Sequence, residues 1–260
     1  MAPQYKETLF SKLYPGHQHS SPTYIPLLHH LHTFVPWTAE QRQKVVIRSD
    51  RGFGSDDNID EALDLAWQVL TKAGGGRRPG AYAKRLTATD WLEVSHNHWL
   101  APIPFAPVYS RPTRTWLLKW LDPKGKPKLA TLVCSVLDWT AQEVMAHYDD
   151  RGQCEKEIQA DKQGLRLCQR RKHQLTAQEA LVILTNVAHN LVAWSLRWMA
   201  LEKPLHQVGT TRLIEDVFTI PGHLHFDGER LAAVQLNERH PYAQLVADGL
   251  RRLLAHFGNP

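Results

Sequence analysis

Residues 148–162 read YDDRGQCEKEIQADK, a stretch dense in groups that handle phosphate and metal. On one continuous helix running from Thr140 through this stretch, the 100° step per residue gathers Tyr148, Arg151, Glu155 and Lys162 into an arc of about 60°, with Ile158 about 20° beyond its edge. A glutamate carboxylate on such a face can hold a divalent ion. Arg151 one turn before it and Lys162 two turns after it can grip phosphate oxygens, and Tyr148 can hydrogen-bond or stack. That set suits phosphoryl transfer on DNA; the same residue types also make a solvated face laced with intrahelical ion pairs. Asp149, Asp150, Lys156 and Asp161 fall off the arc and read as solvated. Gly152 costs a helix interior roughly 1 kcal/mol relative to alanine, which implies close approach of another group there.

A second carboxylate stands at the end of a compact β run, KVVIRSD, where Asp50 is followed by Arg51-Gly52-Phe53-Gly54. A strand that ends on an acid before a Gly-x-Gly loop places the carboxylate at the carboxyl edge of a sheet, where α/β proteins carry their chemistry. Opening a turn is the plainer role for the same aspartate.

The positioning elements follow from the patterns around these residues. Thr140 and Glu143 form a Thr-x-x-Glu capping box that starts the charged helix. Residues 12–37 mix turn formers with aromatics and read as short strands and loops. After Asp50, SDDNIDEALDLAWQVLTKAGGG reads as one helix with Ile59, Leu63, Ala66, Trp67 and Leu70 on a packed face, stopped by Gly74 to Gly76. That glycine run lacks the Lys-Ser/Thr ending of a phosphate loop and reads as a linker. Residues 82–137 are strand-like, with DPKGKPK as a hairpin loop. TAQEALVILTNVAHNLVAWSLRWMALEK is apolar round most of its circumference and reads as a central buried helix. GHLHFDGERLAAVQL reads as a hairpin turning at Asp227-Gly228, and YAQLVADGLRRLLAHF as a short amphipathic helix.

The offsets Tyr148, Arg151, Glu155, Lys162 match at every position the Y-R-E-K signature of the DDE transposases of bacterial insertion sequences. By average composition, four fixed residues at these offsets occur in roughly one or two chains per thousand. The sequence resembles that family also in Tyr24-x-Pro-Leu-Leu28 and in LIEDVFTIPGHL, so the resemblance spans most of the chain. It implies an α/β fold: a ribonuclease H-like mixed sheet flanked by helices, with a β-rich insertion before the Glu-bearing helix. The divisions expected are 1–95 for the first, N-terminally incomplete part of the core, 96–138 for the insertion, 139–203 for the second part and 204–260 for a C-terminal hairpin and helix. It further implies that Asp50 and Glu155 are two of three catalytic carboxylates binding Mg2+ or Mn2+, and that Tyr148, Arg151 and Lys162 contact DNA near the scissile bond. Trp116, Trp120 and Trp139 are candidates to hold a flipped base. The implied partners are double-stranded DNA, as transposon ends and target, and a second copy of the chain in a synaptic homodimer. The family's first carboxylate is an aspartate, but the acids before Asp50 are Glu7 and Glu40. Glu7 is the candidate substitute, and a truncated copy with impaired activity, or a remnant that binds DNA without cutting it, is the corresponding expectation.

Composition points the same way. The formal charge is +5, with clusters at Arg77-Arg78, Lys84-Arg85, 119–128, 166–172 and Arg251-Arg252, which favours a polyanionic partner. Cys134, Cys154 and Cys168 cannot pair evenly and read as reduced thiols. The longest apolar run, 177–199, is interrupted by His189, Asn190 and Arg197, and the start of the chain lacks a signal-peptide pattern, so a cytoplasmic protein with no membrane partner is expected. His17/His19, His29/His30/His32 and His96/His98 leave open a third reading, a histidine-bound metal enzyme unrelated to DNA.

Overall fold

The computed structural model describes residues 7–150, 152–170, 172–199, 201, 205 and 208–257. The chain divides into two compact units: His17–Arg151, and Met1–Gly16 with Gly152–Pro260.

The first unit is a six-stranded mixed sheet between helices. Its strands are β1 (Val46–Ser49), β2 (Gln68–Lys72), β3 (Leu92–Ser95), β4 (His98–Pro102), β5 (Arg114–Leu121) and β6 (Pro127–Cys134), arranged β1-β2-β6-β5-β4-β3. β1 and β2 are parallel, and every other pairing is antiparallel. The helices are α1 (Ser21–Phe34), α2 (Ala39–Arg42), α3 (Asp56–Asp64), α4 (Arg78–Ala83) and α5 (Ala141–Asp149). Alternation along the strands splits the core. Leu70, Leu118, Leu132 and Cys134 face Ala141, Val144, Met145 and Tyr148 of α5. Val69, Ala73 and Val133 face Tyr24 and Leu28 of α1 and Ile59, Ala62 and Leu63 of α3. Burial pushes the Tyr24 phenol up to about 12 and the Cys134 thiol up to about 11, so both stay protonated in the core.

Three local expectations change. The 12–37 stretch holds the helix α1, not short strands: Pro22 sits in its first turn, where a missing N–H costs nothing. The expected single helix from Asp56 onward ends at Asp64. Leu65 and Ala66 turn the chain, Ala66 at φ 67°, and the apolar run behind them becomes β2. Side chains buried on both faces of a strand give a continuous apolar run, which is indistinguishable by period from a buried helix. AYAKRL at 81–86, expected as a strand, instead holds the last three residues of α4 and the turn that follows. The DPKGKPK hairpin is as expected, with Asp122 accepting from the backbone N–H groups of Lys124 and Lys126 and Gly125 at φ 72°.

The second unit contains α6 (Gly152–Gly164), α7 (Leu175–Trp198), the short α8 (Thr210–Arg212) running into a π-helical turn, the hairpin β7 (Gly222–Asp227) and β8 (Arg230–Leu236), and α9 (Ala243–Phe257). Its core gathers Met199, Leu201, Leu205, Leu213, Val217 and Val246. The hairpin turns at Asp227-Gly228 as expected, with Gly228 at φ 62°. The expectation for α7 does not hold: its apolar residues are half-buried or exposed, and His189 is its one buried side chain. Its 24 residues are also long and apolar enough, by length and composition, to cross a bilayer.

Candidate active site

In the first unit, the carboxyl edge of the parallel pair collects the polar side chains. The β1–β2 register runs to Ser49 opposite Thr71, so Asp50 and Lys72 follow at the strand ends. Ser49 and Thr71 are both buried; Ser49 Oγ donates to Thr71 Oγ1 at 2.8 Å, and the Thr71 hydroxyl is shared with the Ser49 carbonyl at 3.2 Å. Asp50 accepts from the Gly52 N–H at 2.8 Å and caps a one-turn 3-10 helix, Arg51–Phe53. It thus has the turn-opening role, and its side chain is exposed at the same time. Gly54 closes this corner: a Cβ there would lie 1.8 Å from the Lys72 carbonyl oxygen.

Lys72 points its ammonium over two rings, 5.0 Å from the Trp120 centroid and 5.1 Å from that of Tyr148. The sequence reading hid Lys72 because β2 was read as helix; the signal available was an apolar run too short for one. Tyr148 is 5% exposed and packs in the α5 core, a setting that suits packing better than an open base-stacking surface. Asp149 beside it has its carboxyl pushed above the usual range by burial, opposed by the neighbouring His98 and Lys72. Trp116 is buried, and Trp139 stacks on His147 at 4.0 Å. Trp91 and Trp99, not singled out in the sequence, sandwich the Lys119 ammonium at 4.4 and 4.8 Å.

The charged segment is not one helix. α5 ends at Asp149 with Asp150 as its C-cap, and α6 starts at Gly152. The C-terminus of α5 is tied to the sheet by Arg48, so Asp150 is ion-paired rather than freely solvated. Tyr148 thus stands on α5, and Glu155 and Lys162 stand on α6. Arg151 lies outside the described residues.

In the second unit, α6 carries Glu155 and Lys162 on its exposed side, 20° apart by helical step. An open concavity beside Glu155 is lined by Gly152, Lys156, Gln159, Ala160 and Gln163. Asp161, expected to be solvated, is buried and bonded to His189. The close approach expected at Gly152 is found instead at Gly164, where a Cβ would lie 3.0 Å from the Thr211 backbone nitrogen. Glu7 Oε1 pairs with Arg197 Nη1 at 2.8 Å, and Thr8 exchanges two hydrogen bonds with the Asn190 side chain, so this segment runs along α7.

Among the described residues, no three His, Cys, Asp or Glu side chains are grouped to hold a metal ion.

The sequence profile described as "Transposase DDE domain group 1" matches residues 109–256, more than half of the chain. The chain belongs to this family of DDE transposases. The match takes in Tyr148, Glu155 and Lys162 and begins after Asp50. No curated protein matches the transposase chain with significant similarity. For a DDE transposase, DNA is the partner that family membership implies, and divalent metal ions are the usual cofactor.

Proposed function

We propose that this chain is a DDE transposase that cuts and joins DNA at the ends of an insertion sequence, with Asp50 and Glu155 among its catalytic carboxylates. The observation that carries the proposal is an exposed aspartate at the carboxyl edge of a parallel strand pair, in a chain whose family profile spans Glu155. Within this reading the mixed sheet is ribonuclease H-like, with 96–138 inserted before the Glu-bearing helix. Asp50 and Glu155 are hard oxygen donors suited to Mg2+ or Mn2+. Tyr148, Arg151 and Lys162 lie along the DNA, and the protein works in the cytoplasm as a homodimer on double-stranded DNA.

A second reading is a relative that binds DNA without cutting it. It is favoured by one observation: Glu7, the candidate for a third carboxylate, is paired with Arg197 at 2.8 Å. Incubation of the purified protein with a duplex carrying the DNA ends that flank its gene, with Mg2+ or Mn2+, separates the two. Nicking that vanishes in both Asp50→Asn and Glu155→Gln is the expected result. Shifted mobility without nicking leaves the binding-only reading, and cleavage unchanged in either variant overturns the carboxylate assignment.

A further inference from the structure

Among the described side chains, α6 buries one residue and α7 buries one, and these two residues touch each other. Asp161 is 7% exposed and His189 4%, with Asp161 Oδ1 2.8 Å from His189 Nδ1. Other anchors on α6 are few: the close approach of Gly164 to the Thr211 backbone holds its last residue, and apolar groups are scarce. Its sequence, GQCEKEIQADKQG, offers Cys154, Ile158 and Ala160 as apolar groups, and Ile158 is 45% exposed. Apolar burial is non-directional, and so little of it cannot fix how a helix is rotated. A buried hydrogen-bonded pair is directional, and leaving either member unpaired is costly. With Asp161 turned inward, the helical step places Glu155 about 120° and Lys162 about 100° round on the same flank. We propose that the His189–Asp161 pair sets the rotation of α6, making both residues positioning residues for the outward face that carries Glu155 and Lys162. The functional part of this proposal rests on the transposase reading above, whereas the rotation itself does not.

Cys154 provides a reporter independent of DNA. It is half-buried and lies about 20° from Asp161 on the inner side of α6, while Cys134 is buried and Cys168 exposed. In the full chain carrying Cys168→Ser, reaction of Cys154 with a thiol reagent is followed without DNA or metal. Asp161→Ala is expected to speed Cys154 labelling by about tenfold or more, at unchanged helical circular dichroism, through local opening of α6. His189→Asn keeps an N–H donor at the position of Nδ1, the atom that meets Asp161, and is expected to label at nearly the parent rate. Unchanged labelling in Asp161→Ala, or His189→Asn labelling as fast as Asp161→Ala, overturns the proposal. Should Asp161→Ala lose helicity, the double variant Asp161→Leu/His189→Leu decides, because it removes the pair without burying an unpaired polar group. Faster Cys154 labelling at retained helicity supports the proposal. Parent-like labelling or lost helicity in the double variant overturns it, the latter because the pair would then hold the unit together rather than turn one helix. Cleavage of the flanking-end duplex is measured on the same variants. Altered labelling with no cleavage even by the parent protein would fault the transposase reading alone.

Discussion

Arg48 on β1 reaches Asp150 at the end of α5, with Nη1 2.8 Å from the Asp150 carboxylate and 2.8 Å from the His147 carbonyl. The guanidinium satisfies a helix-terminal carbonyl and places positive charge at the negative end of the helix dipole. It therefore sets where α5 stops and where Tyr148 lies over the sheet.

Arg48→Ala is expected to lower unfolding stability by about 1–2 kcal/mol, the range for charge-assisted bonds of a largely covered arginine. Asp150→Asn, which keeps an acceptor in a half-exposed position, is expected to cost less. Urea denaturation of the two variants gives the comparison.

Gly54→Ala is expected to be among the most damaging single changes in the first unit, at about 3 kcal/mol or more, because the added methyl meets backbone rather than a side chain that can swing away. Gly80→Ala, with nothing within 4 Å of the added carbon, serves as the control in a thermal melt. A melting temperature for Gly54→Ala equal to that control would show that the corner at Asp50 is looser than described.

Asp56 binds Arg78 through both oxygens, at 2.8 and 2.6 Å, and accepts from the Tyr109 hydroxyl at 3.0 Å. The Arg78 hydrogen bonds hold its carboxyl below the usual 3.8. A depressed folded value means stability fully present above the unfolded carboxylate range and lost as pH falls through the lower folded one. Glu143, held down by the Thr140 backbone N–H and hydroxyl, acts with the same sign. Asp149, raised by burial, acts with the opposite sign: its contribution is present below 3.8 and lost as pH rises through the higher folded value. Acid titrations followed by circular dichroism should show Asp56→Asn reducing the loss of stability below about pH 4, and Asp149→Asn raising stability at neutral pH.

Lys72→Met should leave the fold intact, since the aliphatic stem can still cover Trp120 and Tyr148. If the Asp50 edge faces DNA, the variant should bind duplex more weakly and reduce the slope of log affinity against log salt by about 1. An unchanged slope would place DNA elsewhere.

Legibility in the sequence followed the physics of each segment. Asp50 was visible because β1 is short, β-branched and ends on an acid before glycine, and Glu155 because the spacing around it is distinctive. Thr140 was visible as a cap because capping is local: its hydroxyl accepts from Glu143 N–H, and the Glu143 carboxylate accepts in return. β2 was not visible, because burial on both faces erases the two-residue period. The end of α5 at Asp149 was not visible either, because the charged composition carries on unchanged past its cap at Asp150. Asp161 and His189 were misread for a different reason: their burial depends on each other across 28 residues, which no local pattern encodes.

Among the described residues β1 pairs with β2 alone, so the strand that ends at Asp50 is an edge strand. Such an edge offers its backbone groups to any strand that reaches it, whether from this chain or another. Being four residues long limits how much a foreign strand could gain by adding there. Brevity at β1 thus serves colloidal stability as well as the placing of a carboxylate.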